Sequence, residues 1–128
     1  MTPGELKKKL QAHQFPNLLL LYGEERFFLE ETLARMVQLV VPSEGRDFNY
    51  NLFAGKTARV VEILDAARTF PVFSKLRLVV IRDAQLLVAS ELEQLIPYLQ
   101  DPAEETVLVL STDKIDARRK FYQEFKKR

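Results

Sequence analysis

The sequence predicts a three-layer α/β domain, with a mainly parallel sheet of four strands and helices on both faces. Short apolar runs alternate with helical patterns along the chain, which is typical of strand–helix–strand crossovers in a parallel sheet. Three of the four runs are mostly apolar, as expected for strands buried on both faces. The 128 residues are enough for one hydrophobic core. The strands are expected near residues 18–22, 47–53, 77–82 and 106–110.

Two helices are predicted around the first strand. Residues 2–5 (TPGE) place a threonine cap, a proline and a glutamate at the start of a short helix. Residues 17–23 (NLLLLYG) form a short apolar run between Pro16 and a helical pattern, which favours a strand. The clearest helix spans residues 24–41, with glutamates in its first turn. Its apolar stripe has the helical period of about 3.6 residues and consists of Leu29, Leu33, Met36, Val37 and Val40.

The middle of the chain predicts a second strand and its helix. Residues 47–53 (DFNYNLF) alternate apolar and polar side chains, which is typical of a strand with one polar face at the edge of a sheet. Residues 57–68 have a helical pattern. The inward side chains of that helix are expected to be Val60, Val61, Leu64 and Ala67.

The second half of the chain predicts two further strands, each followed by a helix. Residues 77–82 (RLVVIR) are rich in β-branched side chains, and residues 106–110 (TVLVL) form another buried run. Between them, Ser90–Glu93 (SELE) matches a capping box at the start of a helix, which Pro97 should kink. Asp116 can cap the last helix, whose inward face would consist of Ala117, Phe121 and Phe125.

Composition and charge exclude several kinds of protein. The chain has no cysteine, which excludes disulfides and thiolate metal sites, and its one histidine, His13, cannot build a multi-histidine site. The longest apolar run, residues 18–22, is too short to span a bilayer, and the N-terminus lacks the apolar core of a signal peptide. A net charge of +1 gives no overall attraction to nucleic acid. We therefore expect a cytoplasmic protein without a metal, a cofactor or a membrane contact.

The turn after the first strand is where a phosphate-binding loop would lie, because a strand, a glycine and a helix follow one another there. Such a loop requires the pattern GxxxxGK[ST]. Counted from Gly23, the second glycine, the lysine and the hydroxyl residue are replaced by Phe28, Leu29 and Glu30. The glutamates of this segment would repel a polyphosphate. Gly23 is therefore better explained as a strand-to-helix turn.

Polar residues at the ends of the third and fourth strands are weaker candidates for a nucleotide site. Asp83 lies where an acidic Mg²⁺ ligand would be expected, but no second acidic residue follows it to orient a water. A capping or loop-stabilising aspartate is favoured instead. Ser111 and Thr112 lie where nucleotide-sensing side chains occur in such domains, and capping the turn before Asp113 is the alternative.

The C-terminal stretch is basic. Residues 114–128 hold seven basic and two acidic side chains, a net charge of +5. A helix that contacts phosphates and a solvated face opposite an apolar stripe both explain this pattern, and the second is favoured. The residues that could contact DNA are Lys114, Arg118, Arg119 and Lys120.

Residues 69–76 (TFPVFSKL), between the second-strand helix and the third strand, are the most informative connection. Connections of this kind lie at the surface, so an apolar run within one indicates a surface that fits a partner's pocket. Inward packing of Phe70 and Phe73 is the alternative that composition alone favours. Phe70 closes the preceding helix and is expected to pack inward, whereas Phe73 is the better candidate for exposure.

Three blocks of sequence together resemble the delta subunit of the bacterial DNA polymerase III clamp loader. They cover nearly the whole chain in the right order, and each is weak alone. The blocks are residues 19–25 (LLLYGEE) with the Phe27-Phe28-Leu29 helix after them, residues 70–74 (FPVFS) leading into 77–81 (RLVVI), and residues 107–116 (VLVLSTDKID) with Arg118 and Lys120 after them.

The resemblance implies an AAA+-like N-terminal domain of the P-loop NTPase layout, with strand order 1-4-3-2, that has lost its phosphate loop. It implies no ATPase or polymerase chemistry, and a role in opening the ring-shaped sliding clamp during DNA replication. In that family a hydrophobic pair after the second helix inserts into a pocket on the clamp. The matching positions are Val72 and Phe73, with Phe70 and Pro71 beside them. Val72 departs conservatively from the leucine-like residue that usually precedes the phenylalanine.

The resemblance also implies partners and a longer chain. Family members continue into lid and collar domains, so residues 1–128 are expected to be one domain of a longer protein. The implied partners are the sliding clamp, other clamp-loader subunits through the C-terminal domain, and primer–template DNA through the full complex, at replication forks on the nucleoid. Two alternatives stay open: a nucleotide-binding P-loop-like ATPase domain, and a DNA-binding module that uses the basic C-terminal helix.

Overall fold

Four parallel strands form one sheet in the order β1-β4-β3-β2. The structure, a computed structural model, describes residues 8, 11–12, 14–23, 25–41, 43, 46–72, 74–113 and 120–126. The order and the parallel pairing confirm the predicted sheet. The strands are β1 (Leu18–Tyr22), β2 (Tyr50–Ala54), β3 (Arg77–Arg82) and β4 (Thr106–Thr112).

Helices connect the strands. They are α1 (Arg26–Val40), α2 (Arg46–Asn49), α3 (Val60–Arg68), α4 (Ala89–Gln94), α5 (Ile96–Gln100) and α6 (Lys120–Lys126), with a 3-10 turn at Ala84–Leu86. Lys8 and Gln11 are also helical, and the Ala12 amide donates to the Lys8 carbonyl at 3.0 Å. The part of the chain that the structure describes has no helix long and apolar enough to cross a membrane. The predicted cap residues Thr2, Pro3, Glu5 and Asp116, together with Ala117, lie outside the described residues.

The core lies in two hydrophobic clusters, because alternate residues of the central strands β3 and β4 point to opposite faces of the sheet. One cluster packs β-strand side chains against α3, α4, α5 and α6, and the other packs them against α1. This division produces the three predicted layers. The strand residues of the first cluster are Val79, Ile81, Leu108 and Leu110, and those of the second include Leu78, Val80, Val107 and Val109.

Helix α1 confirms the predicted apolar stripe. Leu33, Met36 and Val40 are buried, while Leu29 and Val37 are half-buried against the same cluster. The helix starts at Arg26, directly after Glu25, so its first turn carries no acidic side chain. Helix α6 likewise confirms the inward positions of Phe121, which is buried, and Phe125, which is half-buried.

Strand β2 corrects the prediction of a strand at residues 47–53, because it begins at Tyr50 after the helical turn α2. Contacts from distant residues fix that turn: the Asn49 side chain bonds to Val72, and the Phe48 carbonyl accepts from Arg77. The predicted polar face is also wrong, since Asn49 is fully buried and Leu52 is 48% exposed. The edge position is confirmed, because β2 is the terminal strand of the sheet.

Helix α3 begins at Val60 rather than at residue 57. Val60, Ile63 and Ala67 face the core, with the spacing of three and four residues that one helical face requires. Val61 is 65% exposed, so the expectation that it points inward is wrong. A residue next to Val60 is rotated by about 100° around the helix and leaves the inward face.

The predicted capping box at Ser90–Glu93 is wrong. Helix α4 begins at Ala89, and its N-cap residue is Val88, which has no side-chain capping hydrogen bond. Glu91 instead accepts a hydrogen bond from the Val60 amide at 2.8 Å and pairs with Arg59 at 3.4 Å, so it caps α3. The helical segment is interrupted at Leu95, between α4 and α5, and Pro97 lies in the first turn of α5. This interruption confirms the predicted kink.

Candidate functional site

The connection between α3 and β3, called the 69–76 turn below, exposes apolar side chains. Phe70 is 73% and Val72 39% exposed, whereas Pro71 is half-buried. The expectation that Phe70 packs inward is wrong, because α3 ends at Arg68 and the extended backbone at Thr69 takes the next residue out of the helical register. Phe73 lies outside the described residues.

Hydrogen bonds between near neighbours hold both ends of the 69–76 turn. The Thr69 hydroxyl donates to the Asp65 carbonyl at 2.5 Å, in the last turn of α3. The Ser74 hydroxyl donates to the Leu76 carbonyl at 3.0 Å and accepts from the Leu76 amide at 3.4 Å. Residues 69–74 carry no charged side chain. Residues 69–74 therefore present an uncharged surface, and the exposed Lys75 follows them.

Asn49 holds the centre of the 69–76 turn. Its Nδ2 donates to the Val72 carbonyl at 2.5 Å, and its Oδ1 accepts from the Val72 amide at 2.6 Å. Asn49 is fully buried. A buried amide would cost free energy without partners, and here both of its polar atoms are bonded to one residue's backbone. The position of Val72 is thus coupled to the start of the edge strand β2.

Arg77, the first residue of β3, secures the segment that carries Asn49. Its Nη2 donates to the Phe48 carbonyl at 2.6 Å, and its Nη1 donates to the Asn51 side chain. Burial, which leaves only 6% of Arg77 exposed, lowers the pKa of its guanidinium because the charged form loses hydration. The guanidinium thus fixes the residues on both sides of Asn49.

Sequence patterns do not single out Asn49 or Arg77 as site residues. Asn49 fits the polar face of an edge strand, and Arg77 resembles the solvated end of an apolar run. The contacts that give both residues their roles join positions 23 to 29 residues apart.

The phosphate-loop edge, defined as residues 22–30 with Asp83, is held by ion pairs instead. Gly23 has φ +148°, which glycine adopts readily, so it forms the predicted strand-to-helix turn. Phe28 is 44% exposed and Leu29 packs against the core. Glu30 pairs with Arg82 at the end of β3. The residues in the lysine and hydroxyl positions of a phosphate loop therefore join α1 to the core and to β3.

Asp83 also stabilises this edge. Its carboxylate pairs with Arg26 at 3.2 Å, and its backbone is left-handed, with φ 55°. Gly55 packs against it so closely that an added Cβ would overlap the Asp83 carbonyl. These contacts support the favoured loop-stabilising role. Ser111 and Thr112 are the last two residues of β4, where they are buried and paired with Leu21 and Tyr22.

Gly55-Lys56-Thr57 matches the last three residues of a phosphate loop, but its surroundings do not fit one. The first glycine of the pattern would fall at Tyr50. The first helical amide after the segment, that of Val60, is already bonded to Glu91. A phosphate at this helix N-terminus would therefore compete with a carboxylate. Among the described residues, no group of three or more His, Cys, Asp or Glu side chains could hold a metal ion.

The basic candidates lie mostly outside the described residues. Lys114, Arg118 and Arg119 are not described, and Lys120, at the start of α6, is exposed. Lys120 lines a cavity of about 180 Å³ between α4 and α6, together with Leu92, Glu93 and Phe121. A DNA contact at this helix stays a prediction.

Comparison with known sequences gives a consistent family. A family model described as "DNA polymerase III, delta subunit" matches residues 19–128. The DNA polymerase III subunit delta of Bacillus subtilis is 32% identical over 130 residues, which cover 94% of this chain. The chain spans 38% of the length of that curated relative.

Solved structures agree with the sequence comparison. The Bacillus subtilis DNA clamp loader delta protein (YqeN) superposes with a TM-score of 0.88 at 30% identity, covering 97% of this chain and 40% of that one. A DNA polymerase III gamma subunit-related protein from Thermotoga maritima superposes with a TM-score of 0.67 at 17% identity. The match covers 84% of this chain and 39% of that one. A point mutant of RuvB from Thermotoga maritima superposes with a TM-score of 0.51 at 15% identity, and the match covers 85% of this chain and 35% of that one. The last two share the fold alone, and the predicted AAA+-like layout is confirmed.

Proposed function

This chain belongs to the DNA polymerase III delta subunit family, and on that basis we propose that it binds the sliding clamp of DNA polymerase through Val72 and Phe73. Binding there helps to open the clamp ring during DNA replication in the bacterial cytoplasm. The observation that carries the proposal is the 69–76 turn, which exposes uncharged apolar side chains while Asn49 holds its backbone.

The energetics of such a contact are sufficient for a specific interface. Full burial of a valine or a phenylalanine side chain contributes about 1.5–3 kcal/mol each before ordering costs are subtracted. A backbone that is already held by hydrogen bonds reduces those ordering costs. Two adjacent apolar anchors in a preformed pocket form the centre of a binding hot spot. Phe70 and Phe48, both exposed, would extend the apolar contact beside Val72.

Ring opening needs no chemistry from this domain. A subunit opens a ring when it binds the open or distorted form more tightly than the closed form, because binding shifts a population by the difference in affinity. The phosphate-loop edge supports a role without ATPase chemistry. Glu30 and Asp83 are each paired with an arginine, and the apolar Phe28 and Leu29 occupy the positions of the second glycine and the lysine of a phosphate loop.

The remaining partners belong to the longer protein. The chain spans about two fifths of the relatives that it matches. Assembly with other clamp-loader subunits through a C-terminal domain, and contact with primer–template DNA through the full complex, complete the proposed role. Lys114, Arg118, Arg119 and Lys120 are the proposed DNA contacts of this domain, and they add to clamp binding rather than replace it.

The test compares two phenylalanines, each replaced by alanine in the intact protein. Phe73→Ala is expected to weaken clamp affinity by about 30-fold or more, the loss that a hot-spot side chain causes. Phe27→Ala is the matched control, because Phe27 is 79% exposed at the phosphate-loop edge. It should change affinity by no more than about twofold. Unchanged clamp affinity of a folded Phe73→Ala variant would overturn the proposed site.

A further inference from the structure

The contact between Asn49 and Val72 differs from the other hydrogen bonds of the 69–76 turn. Thr69 and Ser74 bond to residues two to four positions away, so they shape only the ends of the turn. Asn49 lies 23 residues away in sequence, on a different element, and bonds to the backbone amide and the backbone carbonyl of the same residue. This geometry imitates one step of an antiparallel strand pair.

The chemistry of the contact requires a carboxamide. The Val72 amide needs an acceptor and the Val72 carbonyl needs a donor, and an asparagine side chain supplies both. An ionised aspartate of nearly the same size would supply acceptors only and would place a negative charge against the Val72 carbonyl. A glutamine would carry the same group one methylene further out. A core that simply needs volume at position 49 would not need this pattern of donor and acceptor.

The segment that carries Asn49 is itself held by hydrogen bonds. Arg77 bonds to the Phe48 carbonyl and to the Asn51 side chain, on either side of Asn49. Asn49 is fully buried, so solvent does not compete for its two hydrogen bonds. The turn is therefore anchored to the segment at the start of β2, which Arg77 joins to β3, while Val72 and Phe70 remain exposed.

We propose that Asn49 is a positioning residue, which holds the backbone of Val72 in the conformation that the partner's pocket accepts. This rests on the proposed function, since it names how the clamp-binding turn is presented. Asn49 itself is buried and makes no contact with the clamp. It acts by raising the population of the binding-competent turn, and the apparent dissociation constant rises in proportion when that population falls.

The experiment measures clamp association and dissociation rates for variants of the intact protein, at a temperature where each is folded. Asn49→Ala is expected to weaken affinity about tenfold, as the loss of two hydrogen bonds of ordinary strength allows. The loss should appear mainly in the association rate, because fewer molecules hold the competent turn at any moment. Asn49→Asp should lose at least as much affinity although it conserves size. If Asn49→Ala does not fold, Asn49→Gln replaces it with the same expected direction.

Asn17 provides the matched control. Its side-chain amide also bonds to the backbone, donating to the Ala103, Glu104 and Thr106 carbonyls beside β1, none of which belongs to the turn. Asn17→Ala should lower the melting temperature yet leave clamp affinity within about twofold. The proposal is overturned if folded Asn49→Ala binds like the parent, or if Asn17→Ala loses as much affinity as Asn49→Ala.

Measuring Phe73→Ala in parallel distinguishes failure of the proposed function from failure of the positioning role of Asn49. If Phe73→Ala binds the clamp normally, the proposed function of the turn fails whatever Asn49 does. If Phe73→Ala loses binding but Asn49→Ala does not, only the positioning role fails.

Discussion

The 69–76 turn and the phosphate-loop edge expose similar side chains but differ in charge. Phe70 of the turn is 73% exposed, and Phe27 of the edge is 79% exposed. Residues 69–74 contain no charge, whereas Phe27 lies among charged side chains, namely Glu25, Arg26, Glu30, Arg82 and Asp83. Burying charges against a partner has a desolvation cost that the uncharged residues 69–74 avoid. Exposure alone therefore does not identify a docking surface; exposure without charge does so better.

The two regions also differ in what their polar contacts hold. At the phosphate-loop edge, ion pairs join α1 to the end of β3, so they connect elements of the fold. At the 69–76 turn, the buried Asn49 fixes a surface segment in which the Val72 side chain stays partly exposed. The first arrangement joins elements of the fold, and the second holds an exposed segment in place.

Introducing a negative charge into each region should give the largest difference in clamp affinity between the two regions. Val72→Asp is expected to weaken clamp affinity by about 100-fold or more, because an unpaired charge buried in an interface costs several kcal/mol. The fold should survive, since Val72 is already 39% exposed. Phe27→Asp, in the charged region, is the control and should bind the clamp nearly as well as the parent. Binding titrations measure both, and equal losses would contradict the assignment of the turn.

Adding a methyl group at Gly55 should have the next largest effect, on stability alone. Its Cβ would overlap the Asp83 carbonyl, and the Gly55 amide donates to the Arg82 carbonyl at 2.7 Å, so the backbone has little room to move. Gly55→Ala is expected to lower the free energy of unfolding by about 1–3 kcal/mol, measured by denaturant titration. Clamp affinity of the folded variant should stay that of the parent. A large loss of affinity would show that the two regions are coupled.

The smallest expected effect concerns the Arg26–Asp83 ion pair. Arg26 is 68% exposed on its side chain, so solvent screens the pair, and its coupling energy should be below about 1 kcal/mol. A double-mutant cycle with Arg26→Ala and Asp83→Ala measures that coupling. A coupling well above this value would mean that the phosphate-loop edge is held more tightly than its exposure indicates.

Local patterns predicted most of the fold. The apolar runs and the 3.6-residue stripe of α1 depend on side chains close together in sequence, and the strand order followed from the family resemblance. The errors have another origin. Residues 47–49 are helical, and Glu91 caps α3 rather than its own helix, because their hydrogen bonds reach partners 23 to 31 residues away. No window of local sequence contains both partners of such a bond.

The candidate site, like the fold, has features that the sequence predicted and features that only the structure shows. The exposure of Val72 agrees with the prediction that the turn is a surface feature, but its anchoring by Asn49 and Arg77 required the structure. Phe70 departed from its prediction because the helix ends two residues before it. Phe73 and the basic residues Lys114, Arg118 and Arg119 lie outside the described residues and stay predictions.

Hydrogen–deuterium exchange of the intact protein, with and without the sliding clamp, tests the central claim most directly. If the clamp binds at the 69–76 turn, amides of residues 70–76 should exchange more slowly in the complex, and those of residues 23–30 should exchange as before. Protection at residues 23–30 with no change at residues 70–76 would contradict the account and assign the docking surface to the phosphate-loop edge.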